Sequence, residues 1–399
     1  MNWHIITCEY PPRTGGVSDY TCSVASGLAA QGDEVHVWCP AGAKPPAQAA
    51  GVTVHQDLGA FSRADLRACG DSLDQFAAPR RILVQWVPHG YGWRSMNVAF
   101  CWWLWKRARL GDQVEIMVHE AYHSFRWGAW RQSAAALVHR LMTILLVRSA
   151  KKVWMSIPDW ERCWKPYAMG RPVPFEWLPI PSSILANYSD AGQSAVRRKY
   201  AGGGELLIGH FGTHGSPVTS LLDIILPALN RSRSKPVVLL LGAGSMEYRD
   251  RVVRSHPELS QTVQAAGALS ETDLSSHLAA CDLLIQPYLD GVSTRRTSAM
   301  AGLIHGKPIV TTVGHLTEPF WSETGAIALV PVGRPQEFVA ATERLLNDKE
   351  ERERMGRAAK ALYDERFEIS RVIATLRHLR QTSAQEPAAP LISSESISH

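Results

Sequence analysis

The amino-acid sequence predicts an α/β protein made of two doubly wound parallel-sheet domains that face a central cleft. Three observations carry this prediction. Residues 3–39 run strand, Gly-containing loop, helix, strand, which is the opening βαβ unit of a parallel sheet. The same alternation restarts near residue 206, after a Pro-rich stretch. At 399 residues the chain is also longer than one core normally organises.

Trp3–Thr7 is an apolar run suited to a buried strand, and Glu9-Tyr10-Pro11-Pro12-Arg13-Thr14-Gly15-Gly16 leads from it into a helix over 17–31. A second strand follows over 34–39. Gly15 and Gly16 lie where such sheets bind ligands, at the C-terminal end of the first strand. They form no G-x-G-x-x-G fingerprint, and a flexible turn is the alternative reading. The next strand, Ile82–Trp86, exits through Val87-Pro88-His89-Gly90-Tyr91-Gly92. After a helix comes a strand over 115–118 with His119 and Glu120 at its exit, where the pair can bond a substrate hydroxyl or exchange a proton. His89, His123 and His139 are lesser candidates.

The segment VAFCWWLWKRARL, residues 98–110, sets Trp102, Trp103 and Trp105 beside Lys106, Arg107 and Arg109. It reads first as a core helix with a basic end. The alternatives are an interfacial helix or an aromatic wall for a lipid or sugar acceptor. Residues 134–150 form a second long helix of similar basic and apolar mixture. A strand over 153–156, a helix to about Tyr167 and a short strand near Trp177 complete the first half. The Pro179-Ile180-Pro181 exit and residues 189–204 place the boundary, giving domains of 1–185 and 186–380 and a Ser/Ala/Pro-rich tail, 381–399, expected to be disordered.

In the second half, strands are predicted over 206–211, 236–241 and 263–267, with helices over 219–231 and 271–280, the latter capped by Ser270. Residues 279–312 then read strand, loop, helix, Gly-Lys-Pro turn, strand. The loop Asp290-Gly291-Val292-Ser293-Thr294 feeds Arg295 and Arg296 at the head of the helix. Orphan N–H groups, the positive helix end and two forked guanidinium groups all favour a phosphate or diphosphate there. The plainer reading is two arginines capping a surface helix. A strand near 326–330 and helices over 336–346 and 350–367 close the pattern.

A net charge of +5 is compatible with anionic small molecules or an anionic membrane surface, and too weak to predict a nucleic-acid partner. Seven scattered cysteines, with no C-x-x-C pair, read as buried free thiols and not as a metal or disulfide framework. The N-terminus enters a strand directly and no segment has the length and apolarity of a membrane span, so the expectation is a cytoplasmic protein, with the inner face of a membrane as a possible station.

Taken in order, these motifs resemble family 4 glycosyltransferases of the GT-B architecture. The residues that carry the resemblance are Glu9-Tyr10-Pro11-Pro12 with Gly15-Gly16, His119-Glu120, the stretch from Gly209 to Gly215, Gly242-Ala243-Gly244 and the AACDLLIQPY…GKPIVTT block, over about residues 1–380. The resemblance implies transfer of a sugar from a nucleoside diphosphate sugar to an acceptor hydroxyl, with retention and without a metal or other cofactor. A role in polysaccharide or glycoconjugate synthesis fits, the acceptor being a sugar, a lipid-linked sugar or a small molecule. It also implies roles. His119 would contact the donor sugar, Gly15 and Gly16 would approach the diphosphate, and Gly212, Thr213, Asp290, Gly291, Val292, Ser293, Thr294 and Ser298 would lie on the donor side. Glu120 and Tyr91 would lie on the acceptor side. Asp290 and Ser298 hold the E-x7-E spacing of many relatives, so the second carboxylate is missing, and His210 with the 212–215 loop replaces the usual Arg and Lys. Arg295 and Arg296 are therefore expected to supply the positive charge. A non-catalytic nucleotide-sugar-binding protein and a GT-B-type epimerase are the alternatives.

Overall fold

The structure is a computed structural model that describes residues 1–378 apart from Thr14, Ala43, Trp93, Arg94, His123, Ser124, Arg126, Trp127 and Arg233. The candidate His123 and the 381–399 tail lie outside the described residues.

The first half alternates β1 (Asn2–Ile6), α1 (Gly16–Ala30), β2 (Glu34–Trp38), β3 (Val52–His55), α2 (Arg63–Leu73), β4 (Arg81–Trp86) and α3 (Val98–Arg109). It continues with β5 (Gln113–Val118), α4 (Trp130–Ser149), β6 (Ala150–Met155), α5 (Trp160–Trp164) and β7 (Phe175–Trp177). All seven strands are parallel, in the order β3-β2-β1-β4-β5-β6-β7. The second half runs α6 (Asp190–Tyr200), β8 (Leu207–Phe211), α7 (Ser216–Asn230), β9 (Val237–Leu241), α8 (Ser245–Ser255), β10 (Val263–Gly267), α9 (Glu271–Ala280) and β11 (Leu283–Gln286). Then come α10 (Thr297–Ile304), β12 (Ile309–Val313), β13 (Ile327–Pro331), α11 (Pro335–Asn347), α12 (Lys349–Arg366) and α13 (Ile369–Arg377). Its six parallel strands are ordered β10-β9-β8-β11-β12-β13.

Both sheets reverse strand order once, between β1 and β4 and between β8 and β11. Chain leaving adjacent strands there turns in opposite directions and opens a crevice, so these two points position the site. Helices on both faces bury the central strands throughout: every residue of β4 and of β11 is buried, and most are apolar. Arg81 of β4 tolerates this because Glu115 on β5 takes its Nε at 2.6 Å and the Trp3 ring lies 3.7 Å beneath it.

Four helices, α2, α6, α8 and α13, and the strand β3 were not expected from the sequence. Helix α13 also changes the domain assignment. Its Val372, Ile373 and Leu376 join Val24, Leu28 and Trp3 in the core beside the first sheet, and Arg81 donates to the Leu376 carbonyl at 2.6 Å. Gly27 admits it, since a Cβ there would lie 2.7 Å from Ile373. The expected second domain, 186–380, thus gives its last helix to the first. Among the described residues no helix is long and apolar enough to cross a membrane.

Candidate functional site

The innermost groups at the first switch point are polar and uncharged, with two carboxylates beside them. His119 follows β5, its N–H donating to the Trp86 carbonyl, and its Nε2 lies 2.8 Å from Gln85 Oε1. The edge of Tyr20 from α1 closes on the imidazole at 5.0 Å between centroids. Burial pushes the His119 pKa down to about 3, so the ring is neutral at physiological pH. The Gln85 Nε2 and the Tyr20 hydroxyl are buried without a partner. Buried donors without partners are costly, so these two groups stand out among the polar atoms of this half. Glu120, half exposed beside His119, pairs with His89 at 3.3 Å, which lowers the carboxyl pKa and raises that of the imidazole.

Glu9 completes this half. Its Oε1 accepts the Ser18 N–H at 3.1 Å, occupying part of the α1 N-terminus. A Cβ on Gly15 would fall 2.2 Å from that oxygen, so the Glu9 carboxylate takes the space beside Gly15 that a side chain would fill, the Gly15 backbone being extended. Gly16 is open. A diphosphate approaching Gly15 as the sequence predicts must displace the Glu9 carboxylate.

The second switch point is charged. Asp290 Oδ2 holds Arg295 at 2.7 Å and its Oδ1 holds Arg296. The Arg296 guanidinium lies over the Tyr288 ring at 4.6 Å, and Arg295 reaches the first domain, 3.9 Å from Glu120 and 5.8 Å from the centre of Trp160. The paired cations hold Asp290 below the usual carboxylate range despite burial. The Nε atoms of both arginines are buried and unpartnered. Helix α10 begins directly after them with no side-chain cap at its N-terminus, whose positive end therefore adjoins the two arginines. Gly291 permits the turn: at φ +86° it adopts a left-handed conformation, and a Cβ would lie 2.2 Å from Gly314 N.

His119, Glu120, Asp290, Arg295 and Arg296 are brought together across the cleft. Other predicted residues are not ligand-facing. The Tyr91 hydroxyl is buried, donating to the Gln85 carbonyl at 2.7 Å, and the ring stacks on Trp86 and Phe100, so it supports the site from below instead of meeting an acceptor. The Thr294 side chain is committed between domains: its Oγ1 lies 2.6 Å from both Glu318 Oε1 and the Ser156 carbonyl and accepts from Trp177 Nε1 at 3.2 Å. It cannot also bond a phosphate. Val292 is buried and its N–H is used by Thr312, and the Gly212 N–H is used by Leu241. Ser298 bonds the Tyr288 hydroxyl at 2.8 Å. Ser293 is fully buried with an unpartnered Oγ, and Thr213 is exposed at the rim. His210 on β8 and His214 within the Gly212–Gly215 loop have centroids 5.1 Å apart, both are buried, and burial pushes His210 down to about 3. His139 is a core residue bonded to the Ser95 carbonyl at 2.8 Å.

Sequence reasoning missed Gln85, Gln286, Tyr20, Glu9 and Glu318. Two had a signal. Gln85 and Gln286 are the lone amides in the apolar runs ILVQW and LLIQP, on strands β4 and β11 that border the two switch points. Both are fully buried and both carry unpartnered amide atoms. A cavity of about 440 Å³ opens beside the first switch point, lined by Glu9, Tyr10, Arg13, Lys44 and Gln56 among others. Among the described residues no group of three or more His, Cys, Asp or Glu side chains is placed to hold a metal ion.

Two family models match in tandem: Glycosyltransferase Family 4 over residues 14–154 and Glycosyl transferases group 1 over residues 205–348. Among solved structures, HepE of Anabaena in complex with UDP is similar at TM-score 0.67 and 16% identity, covering 94% of this chain and 98% of that one. Sucrose-phosphate synthase of Thermosynechococcus elongatus matches at TM-score 0.73 and 16% identity over 95% and 98% of the two chains. An α,α-trehalose-phosphate synthase of Burkholderia xenovorans in complex with glucose-6-phosphate matches at TM-score 0.62 and 11% identity over 94% and 99%. None of the curated protein sequences matches.

Proposed function

This chain is a GT-B-fold glycosyltransferase that resembles family 4, and on that premise we propose that it moves a sugar from a nucleoside diphosphate sugar to an acceptor hydroxyl, with retention and without a metal ion. The observation that carries the reading is the pairing of Arg295 and Arg296 on a single carboxylate at the uncapped head of α10, opposite neutral His119. Asp290 offsets one of the two positive charges, so the loop keeps a net charge for an arriving diphosphate, which bears more negative charge than Asp290 and draws the guanidinium groups to itself. As the bond from the anomeric carbon to the diphosphate oxygen breaks, the charge left on that oxygen falls among the two guanidinium groups and the α10 N–H groups. The acceptor oxygen bonds the anomeric carbon on the same face, and its proton passes to the departing diphosphate. His119, neutral and oriented by Gln85, bonds the sugar without carrying charge.

The cavity beside Arg13 and Lys44 in the first domain suits entry of the acceptor. The reading extends to polysaccharide or glycoconjugate synthesis, with a sugar, lipid-linked or small-molecule acceptor at the membrane's inner face. The test is incubation of the full chain, with and without a chelator, with a panel of nucleoside diphosphate sugars and sugar acceptors. The anomeric configuration of any product is then read by NMR. Retained configuration at unchanged rate in chelator supports the proposal. Inverted product, chelator-abolished transfer, or binding of no nucleoside diphosphate overturns the corresponding part.

A further inference from the structure

Helices α3 and α4 pack side by side, yet each turns a large apolar face outward. On α3 the outward stripe is Trp102, Trp105, Lys106 and Arg109, spaced i, i+3, i+4, i+7, with Trp102 45% exposed and Arg109 lying over Trp105. On α4 it is Trp130, Leu137, Leu141 and Arg148, Trp130 being 74% and Leu137 64% exposed. Both helices bury an inward apolar stripe in the ordinary way, and large apolar side chains stand among the cations of the outward face as well, where a soluble helix exposes mainly polar groups. The expectation of a core helix with a basic end holds on one face, where Phe100, Cys101 and Leu104 reach the core, while Trp102 is left exposed on the other.

The charge pattern matches the apolar one. Neither helix contains an Asp or Glu, whereas Lys106, Arg109, Arg131 and Arg148 are exposed on them, with Lys151 just beyond. We propose that the α3–α4 face docks on an anionic lipid bilayer, its indole and leucyl side chains entering the headgroup boundary and its cations meeting lipid phosphates. A second copy of the chain is a poor occupant, because a twofold interface would press two carboxylate-free cationic faces together. Exposed Phe125, shortly before α4 in the chain, has its ring centroid 3.9 Å from the guanidinium of Arg140 on that helix.

This surface is separate from the donor site, so its test does not depend on catalysis. Flotation of the full chain with vesicles of phosphatidylglycerol and phosphatidylcholine, against phosphatidylcholine alone, measures partitioning at low and high salt. We expect binding to the anionic vesicles only, weakened by salt. Trp130→Ser with Leu137→Ser, and separately Lys106→Glu with Arg131→Glu, should each weaken it by roughly tenfold or more. Thermal melting of each pair confirms that it folds, these positions being exposed. Absence of binding to the anionic vesicles, equal binding to both vesicle types, or wild-type binding by both folded variant pairs overturns the proposal. So does a wild-type dimer, seen by analytical ultracentrifugation, that the same variants dissociate.

Discussion

The two switch points share one topology and differ in electrostatics. At β1/β4 the innermost groups, His119, Gln85 and Tyr20, are uncharged, burial keeping the imidazole neutral, and the carboxylates of Glu9 and Glu120 flank them. At β8/β11 the groups are ions: Arg295 and Arg296 gathered on Asp290, with only Gln286 echoing the amide of the opposite strand. Neutral innermost groups are suited to orient a sugar without perturbing charge, and a cationic half to hold a leaving diphosphate. One fold thus supplies two chemistries, because what differs is the loop after the strand and not the strand.

Four measurements break or sharpen that contrast. His119→Ala should lower turnover by about 100-fold while nucleoside diphosphate affinity changes by less than about threefold, since a preorganised contact made in the transition state is lost. Equal losses in both quantities would place His119 on the diphosphate side. Arg295→Ala and Arg296→Ala should each weaken nucleoside diphosphate binding by about 1–3 kcal/mol, the range of a charge-assisted contact, as read by calorimetry. Unchanged affinity in both would remove the charge from the donor site. Thr294→Val should destabilise the fold by about 1–2 kcal/mol in denaturant titration and leave nucleotide affinity intact, because its hydroxyl serves Glu318, Ser156 and Trp177. Loss of affinity at unchanged stability would restore it to the phosphate site.

The smallest effect is a pH dependence that separates the buried histidines from the arginine-held carboxylate. His119 and His210 have folded pKa values pushed to about 3 from an ordinary 6.5, so the unfolded chain takes up protons that the folded chain refuses. Their contribution to stability is fully present above pH 6.5 and is lost as pH falls towards 3. Asp290, held below 3.8, loses its contribution only in a more acidic window. His119→Gln should flatten the decline in thermal stability between about pH 6.5 and 4, and Asp290→Asn should not. A profile unchanged by His119→Gln would deny that this imidazole is buried neutral.

Much of the fold was legible in the sequence. Strand runs such as Ile82–Trp86 and Leu283–Gln286, each followed by a turn and an amphipathic segment, announce a parallel sheet because both faces of such strands are buried. The charged helix α8 was not legible, nor was α6, whose Ser189 cap falls in the stretch read as a boundary. Few apolar positions mark either one. In the site, His119 and the two arginines stood out by their place at a strand exit and a helix head. Gln85 and Gln286 carried a fainter signal, as lone amides in apolar runs. Glu9 stood in the Glu-Tyr-Pro-Pro motif with no sign of its place on the α1 N-terminus, and Glu318 carried no signal, since a carboxylate looks alike in sequence whether it faces solvent or fills a helix end.

The sequence by itself determined the two βαβ halves, the Gly-rich turns after their first strands and the positive charge ahead of α10, because periodicity and turn chemistry act over a few neighbouring residues. Only the tertiary structure decided that Asp290 gathers both arginines, that Thr294 ties the domains, that α13 returns to the first domain and that α3 and α4 present apolar faces outward. Each of these depends on which distant surfaces meet. Thr294 and Ser156 are separated by 138 residues and Arg81 and Leu376 by 295, and local pattern carries no information at that range.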